Sequence, residues 1–127
     1  MISCVLDASA ILAYLVEEPG FREVEKLLDE AGASAVNIAE VASKLAERGA
    51  PAGEIRQTIQ ALGIEVIPCD ETIAYQIADL RESTRAHGLS LGDRACLATA
   101  IQLQVRAITA DRGWKTLRVG ARIHVIR

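Results

Sequence analysis

The sequence predicts an α/β fold, with a central, mostly parallel five-stranded sheet flanked by helices in a single domain spanning residues 1–127. Three observations favour this fold. Short apolar runs that resemble buried strands alternate with longer stretches whose apolar residues recur at helical spacing. Aromatic residues make up only 3% of the chain, so the core must be aliphatic. A chain of 127 residues can bury such a core without crosslinks.

Five short runs are predicted as strands because each is brief, mostly apolar and in part β-branched. They cover residues 2–6, 33–36, 64–67, 105–109 and 122–126. The third run stops at Pro68, which cannot donate to a ladder. The fifth is expected at an edge of the sheet. Helical stretches separate the runs, so the strands should be parallel, with right-handed crossovers.

The stretches between the strands repeat apolar residues at the spacing of a helix face. The predicted helices cover residues 8–17, 21–31, 38–48, 51–62, 70–86 and 90–104. Asp70 and Ser90 are suitable N-caps for the last two. Two consecutive helices, 38–48 and 51–62, separate the second strand from the third. This succession predicts a small helical hairpin on one side of the sheet.

Charge restricts the functional classes. The net charge of −3 at pH 7 argues against a protein that coats nucleic acid nonspecifically. The charge is unevenly distributed, because residues 112–127 contain five arginine or lysine residues and no acid. This C-terminal segment is either a solvated face or a strip that faces phosphate.

Cysteine usage and hydropathy indicate the compartment. The three cysteines, Cys4, Cys69 and Cys96, match no metal-binding spacing and have apolar neighbours, which predicts free thiols in a reducing cytoplasm. The chain begins directly in a strand-like run, so no signal peptide is expected. No apolar run approaches the roughly 20 residues that span a bilayer. A cytoplasmic protein with no membrane partner is therefore predicted.

Four acidic residues lie next to separate apolar runs of the chain: Asp7, Glu40, Asp93 and Asp111. The carboxyl ends of parallel strands form one edge of a sheet, where ligands bind. Acids carried by four segments can therefore meet at that edge. Four carboxylates in a small cleft would repel one another, so we expect a cation among them.

Each acid also has a simpler structural explanation. Asp7 can cap the first helix, and Asp111 fits a turn. Glu40 lies three residues after Asn37, and Asp93 three residues after a serine, as in capping boxes. None of the acids is convincing alone, but caps need no shared location. Capping and ligand binding are also compatible roles for one carboxylate.

Carboxylates are hard oxygen ligands that suit Mg²⁺, and Mn²⁺ is also plausible. Such a site activates water and neutralises charge, which is what phosphodiester hydrolysis requires. Other phosphoryl chemistry fits poorly. A haloacid-dehalogenase-type phosphatase needs a second acid two residues after Asp7, where Ser9 stands. A receiver domain needs a phospho-acceptor after the third strand, where Pro68 stands. No glycine-rich phosphate-binding motif occurs.

The segments that carry the acids resemble the four motif blocks of the PIN domain. These segments are residues 5–9, 35–41, 89–98 and 109–114. Their order and near full-length coverage resemble the small VapC-type toxins of prokaryotic toxin–antitoxin pairs. The resemblance implies a metal-dependent ribonuclease with a Rossmann-like parallel sheet. It also implies a homodimer, an RNA substrate and an antitoxin whose peptide plugs the active site.

The resemblance assigns roles by position. Asp7 and Asp93 would be the most direct metal ligands, and Glu40 would bind the metal or orient its water. Asp111 would serve a weaker second ion, although Gly113 and Trp114 follow where some relatives carry another acid. The choice between one and two bound ions therefore stays open.

Five further residues complete the predicted site. Ser9 and Thr109 either hydrogen-bond the carboxylates or are ordinary turn and strand hydroxyls. Arg94, Arg112 and Lys115 adjoin the acids and are candidate RNA contacts. The main prediction is a Mg²⁺-dependent endoribonuclease that acts as a toxin. The alternative is a catalytically silent PIN-like module that binds RNA or a protein.

Overall fold

The computed structural model describes all 127 residues. The strands are β1 (Cys4–Leu6), β2 (Ala31–Ser34), β3 (Glu65–Ile67), β4 (Arg106–Thr109) and β5 (Ile123–Val125). They form one five-stranded sheet in the order β3-β2-β1-β4-β5, and every neighbouring pair is parallel. The predicted fold class is confirmed, and β5 lies at an edge as expected. The other edge is β3.

Six α-helices flank the sheet. They are α1 (Ala8–Leu15), α2 (Phe21–Leu27), α3 (Ala35–Glu47), α4 (Ala52–Gln60), α5 (Glu71–Ser83) and α6 (Leu91–Leu103). Short 3-10 helices cover Leu28–Glu30, Arg85–His87 and Arg112–Thr116. α3 and α4 follow each other and pack together, as the predicted hairpin requires. None of the helices is long and apolar enough to cross a membrane.

The second strand and the helix before it differ from the prediction. The helix expected at 21–31 ends at Leu27, and a 3-10 turn leads directly into β2. β2 lies between β1 and β3, and its residues, such as Ala31 and Ala33, are small and buried. Ser34 is the last residue of β2 and also caps α3 through the backbone N–H of Val36 at 3.2 Å, whereas residues 35 and 36, expected in the strand, belong to α3. α3 therefore begins earlier than the apolar spacing suggested.

The sheet separates two apolar cores because successive strand residues point to opposite faces. On one face, Leu6 and Ile108 belong to a cluster that includes residues of α1 and α4. On the other, Val5 packs in a cluster with residues of α5 and α6. Trp114 belongs to this second cluster and is 1% exposed, so its indole is a packing anchor. α6 also contacts β1, β2 and β4, which places its first turn near their carboxyl ends.

Candidate active site

Asp7 follows β1 directly and is buried, with 3% of its surface exposed. It is the N-cap of α1, as predicted, and its Oδ1 accepts from the backbone N–H of Ala10 at 2.8 Å. Oδ1 also accepts from the Ser9 hydroxyl at 2.7 Å, and Oδ2 accepts from the Thr109 hydroxyl at 2.5 Å. These three donors hold the carboxylate in one orientation at the edge of the sheet.

Ser9 and Thr109 connect the ends of β1 and β4. Their hydroxyl oxygens are 3.3 Å apart, and Ser9 Oγ accepts from the backbone N–H of Ala110 at 2.9 Å. Thr109 Oγ1 accepts from the backbone N–H of Asp111 at 3.0 Å. The two hydroxyls thus join Asp7 to the backbone that carries Asp111.

Asp111 itself lies at the rim of the site, where it is exposed. Its Oδ1 accepts from the backbone N–H of Gly113 at 2.8 Å and caps the 3-10 helix Arg112–Thr116. The turn predicted here is therefore confirmed. Its carboxylate makes no hydrogen bond to the other three acids, and only the backbone around Asp111 is joined to Asp7, through Ser9 and Thr109.

The side chain of Glu40 is held by Asn37, whose role differs from the predicted one. Asn37 was expected to cap α3, but it lies inside the helix and is 1% exposed. Its Nδ2 donates to Glu40 Oε1 at 2.8 Å and to the backbone oxygen of Gly92 at 3.0 Å. Because α3 starts at Ala35, Glu40 lies in the second turn rather than the first. Asn37, and not the helix terminus, fixes Glu40 against α6.

Asp93 occupies the first turn of α6, as predicted. Ser90 and Asp93 form the expected capping box: Ser90 Oγ accepts from the Asp93 backbone at 3.1 Å, and Asp93 Oδ2 accepts from the Ser90 backbone at 3.0 Å. These two bonds hold the side chain of Asp93 against the first turn of α6. The residue before it, Gly92, touches the Glu40 carboxylate directly. Glu40 and Asp93 are therefore neighbours across two helices.

Three of the four acids lie close enough to the buried Cys96 thiol to affect its pKa. Burial raises the pKa of the Cys96 thiol well above its ordinary value, and the carboxylates of Asp7, Asp93 and Glu40 raise it further. Burial also raises the pKa of Asp7 to about 6, against the opposing effect of its hydrogen bonds, and the charge of Asp93 adds to the increase. None of the four acids takes part in a salt bridge. The cluster is thus a negative site whose acids have no cationic side chain paired with them.

The basic residues near the acids have different environments. Arg94 is half-buried, and its Nη1 donates to the backbone oxygen of Ile77 at 3.0 Å, which ties α6 to α5. Arg112 is exposed, and its Nε donates to the backbone oxygen of Arg127 at 3.1 Å. Lys115 is exposed and makes no side-chain hydrogen bond. Lys115 is therefore the most available of the three for a ligand.

The family model of the PIN domain matches residues 4–119, which include the whole site. The chain belongs to the PIN domain family. No curated protein sequence matches the chain. Among solved structures, VapBC from Salmonella typhimurium is similar, with 18% identity, full coverage of both chains (100% each) and a TM-score of 0.77.

Two further structures resemble this PIN domain. VapBC-5 from Mycobacterium tuberculosis, a member of the VapBC family of toxin–antitoxin systems, is 25% identical over 98% of each chain, with a TM-score of 0.61. FitAcB from Neisseria gonorrhoeae is 24% identical over 94% of this chain and 95% of the other, with a TM-score of 0.68. The fold of the chain is therefore that of these proteins.

The donor chemistry of this PIN domain fits Mg²⁺. Asp7 is a buried carboxylate with no cationic partner, and Asp93 and Glu40 lie near it. The acids do not form a closed group of three or more His, Cys, Asp or Glu side chains spaced to hold one ion. Mg²⁺ does not require such a group, because it usually keeps several waters and binds one or two carboxylates. Asp7 and Asp93 are the pair that would hold it.

The sequence did not indicate two contacts of the site. Asn37 donates a hydrogen bond to Glu40, and Gly92 provides the backbone against which the Glu40 carboxylate lies. Both act between α3 and α6, which are more than 40 residues apart in sequence. The only local signal was the polar Asn37 in an apolar stretch, and helix capping explained it equally well. The contact became visible only in the packed structure.

Proposed function

We propose that this PIN domain is a Mg²⁺-dependent endoribonuclease and the toxin of a type II toxin–antitoxin pair. The observation that carries the proposal is the position of Asp7. This residue is 97% buried, lies near other acids and has no cationic partner. An uncompensated buried charge is costly, and a divalent ion would offset that cost. The toxin–antitoxin context is supported by the similar solved structures, which are those of VapBC, VapBC-5 and FitAcB.

Bound at Asp7 and Asp93, Mg²⁺ would supply an activated water and neutralise charge on the phosphate. The protein contributes the orientation of the ligands. Ser9 and Thr109 hold Asp7 through hydrogen bonds that favour its ionised form. Asn37 aims Glu40 at the same site, where its free Oε2 can orient a water.

The proposed partners are an RNA substrate, a cognate antitoxin and a second copy of the chain, all in the cytoplasm. An apolar groove of about 410 Å³ lies between α3, α4 and β3, lined by residues such as Ile38, Ile59 and Val66. Val66 is 47% exposed, which is unusual for a valine in a sheet. This groove is available to the antitoxin or to the second copy. Light scattering of the purified chain at micromolar concentration should give a dimer, and a strict monomer would contradict that part of the proposal.

The ribonuclease proposal is tested with purified Asp7→Asn and Asp93→Asn variants in an RNA cleavage assay with Mg²⁺ or EDTA. Each substitution should reduce cleavage by at least about 100-fold, because each removes a charged ligand. Asp79→Asn, which changes an exposed acid on α5, is the matched control and should be fully active. Full activity of both site variants, or undiminished cleavage in EDTA, would disprove the metal site. Binding of RNA without cleavage would favour the silent PIN-like module instead.

A further inference from the structure

The largest concave pocket of the fold, about 640 Å³, lies along β5 and the segment that leads into it. We refer to this cavity, lined only by residues between Trp114 and Val125, as the β5 pocket. Its lining includes Lys115, Arg118 and His124 but no acid. A pocket of this size can hold a ligand of about nucleotide dimensions, since small-molecule sites usually measure about 300–1,000 Å³.

The cations of the β5 pocket are not neutralised by the protein. Lys115 and Arg118 are exposed, and neither takes part in a salt bridge. Arg118 only donates from Nη1 to the neighbouring backbone oxygen of Leu117 at 3.2 Å. The third basic residue of the pocket, His124, already has a partner, because its Nε2 lies 2.9 Å from Glu23 Oε2. Two free cations in an acid-free segment create a local positive potential on a chain of net charge −3.

A second pocket near the end of β5 has the opposite charge. It measures about 420 Å³ and is lined by three acids, Glu17, Glu18 and Glu23, and one cation, Arg22. Glu18 is also paired with Arg127 at 3.6 Å, so the excess of negative charge is modest. Phosphate groups would be repelled there and attracted to the β5 pocket. The two concavities therefore differ in the ligand they select, and only the β5 pocket suits a polyanion.

The β5 pocket adjoins the acidic edge. The 3-10 helix that carries Lys115 is capped by Asp111, and the four steps along the chain from Asp111 to Lys115 span about 8 Å at the rise of a 3-10 helix. β5 also lies beside β4, with Val125 opposite Thr109, the residue that donates to Asp7. A single nucleic-acid strand can therefore reach the pocket and the acids at once.

We propose that the β5 pocket binds the RNA strand next to the cleaved phosphodiester, with Lys115 and Arg118 contacting its phosphates. The apolar part of the lining, which includes Leu117 and Ile123, receives a base or a ribose. This inference rests on the proposed ribonuclease function and extends it to the substrate strand. Phosphate contacts of this type position a strand without reading its sequence.

The test is RNA binding by the full chain in EDTA, where no cleavage occurs. The probe is a fluorescent single-stranded RNA of about 12 nucleotides, within the range that such grooves bind. The double variant Lys115→Ala with Arg118→Ala should bind about tenfold more weakly at moderate salt. For this variant, the slope of log affinity against log salt concentration should be shallower by about 1.4, because each lost phosphate contact reduces the slope by about 0.7 for a single strand.

The matched control is the double variant Lys26→Ala with Arg48→Ala. It removes the same two residue types from exposed positions on α2 and after α3, so the net charge changes equally. It should keep the wild-type salt dependence. Equal weakening in both double variants would reduce the effect to net charge and overturn the proposal. Wild-type binding by the pocket variant would also overturn it, as expected if the pocket docks a protein instead.

A cleavage experiment separates this proposal from the ribonuclease proposal. With Mg²⁺, the pocket variant should cleave a long RNA with a raised KM but a nearly unchanged kcat, because the catalytic acids are untouched. A dinucleotide substrate, too short to reach the pocket, should be cleaved equally by variant and wild type. If the wild type cleaves no RNA, the ribonuclease proposal fails, while the binding measurement in EDTA still decides the fate of the pocket.

Discussion

The carboxylate of Glu40 lies on the backbone of Gly92, so closely that a Cβ at position 92 would overlap Glu40 Oε1. Only glycine permits this approach, because any other side chain would occupy the space of the carboxylate. Glu40 is the end of a flexible side chain and can move aside at little cost. The glycine therefore matters for the placement of the acid more than for the fold.

Gly92→Ala should accordingly separate activity from stability. Alanine favours a helix over glycine by about 1 kcal/mol, so the variant should unfold at the wild-type temperature or above it. Cleavage should fall about 10–100-fold, because Glu40 is displaced from the proposed metal site. Thermal unfolding and RNA cleavage measure the two effects. Gly53→Ala in α4, where a Cβ would meet nothing within 4 Å, is the control and should leave cleavage unchanged.

The buried carboxylate of Asp7 should make stability depend on pH. Burial raises its pKa from 3.8 to about 6, so the folded state holds the proton more tightly than the unfolded state. The stabilisation from this proton is fully present below about pH 4 and disappears as the pH rises through about 6. The difference corresponds to about 3 kcal/mol, at 1.36 kcal/mol for each pKa unit.

Asp7→Asn should remove this dependence. In EDTA, the free energy of unfolding of the wild type relative to the variant should decrease as the pH rises from 4 to 7, as measured by urea titration. Asp70→Asn, which changes an exposed N-cap on α5, is the control for loss of a capping carboxylate. A constant difference between wild type and Asp7→Asn across this range would show that the burial of Asp7 is not coupled to its proton.

Thr109 should adjust the pH at which the site becomes active. Its hydroxyl donates to Asp7 Oδ2 at 2.5 Å and lowers the pKa of that carboxyl. Thr109→Val keeps the shape of the side chain but removes the bond, so the pKa of Asp7 should increase. If cleavage needs ionised Asp7, the acidic limb of the profile of kcat/KM against pH should move to higher pH.

The control for this substitution is Thr99→Val. Thr99 is buried like Thr109, but its hydroxyl donates only to the backbone oxygen of Ala95 within α6. It should change stability without moving the pH profile. A profile for Thr109→Val that coincides with that of the wild type would contradict a role for this hydroxyl in the ionisation of Asp7.

Asn37 should act through Glu40. Asn37→Ser removes both of its hydrogen bonds and should raise the Mg²⁺ concentration needed for half-maximal cleavage about tenfold. The same substitution in a Glu40→Gln background should have little further effect, because the carboxylate it supports is already gone. Additive losses in this double-mutant cycle would mean that Asn37 serves the packing of α3 on α6 rather than Glu40.

Local signals in the sequence were sufficient for most elements. The apolar runs and helical spacings predicted five strands and six helices in the right order, because the spacing of apolar residues within each element indicates which of its faces is buried. Caps such as Asp70 and Ser90 were also predictable, since they bond to backbone two or three residues away. The start of α3 was misjudged because small residues such as Ala33 and Ala35 carry no clear period.

The sequence by itself determined the fold class and the capping roles of Asp7 and Asp93, and it predicted the four acids as a set, because these features depend on local spacing and on the shared edge of a parallel sheet. The tertiary structure alone decided how the set is arranged. Asn37 and Gly92 meet Glu40 only when α3 packs on α6, and Lys115 and Arg118 share a pocket only once β5 has added to the sheet. Such contacts join residues that are distant in the chain, and no local period can encode them.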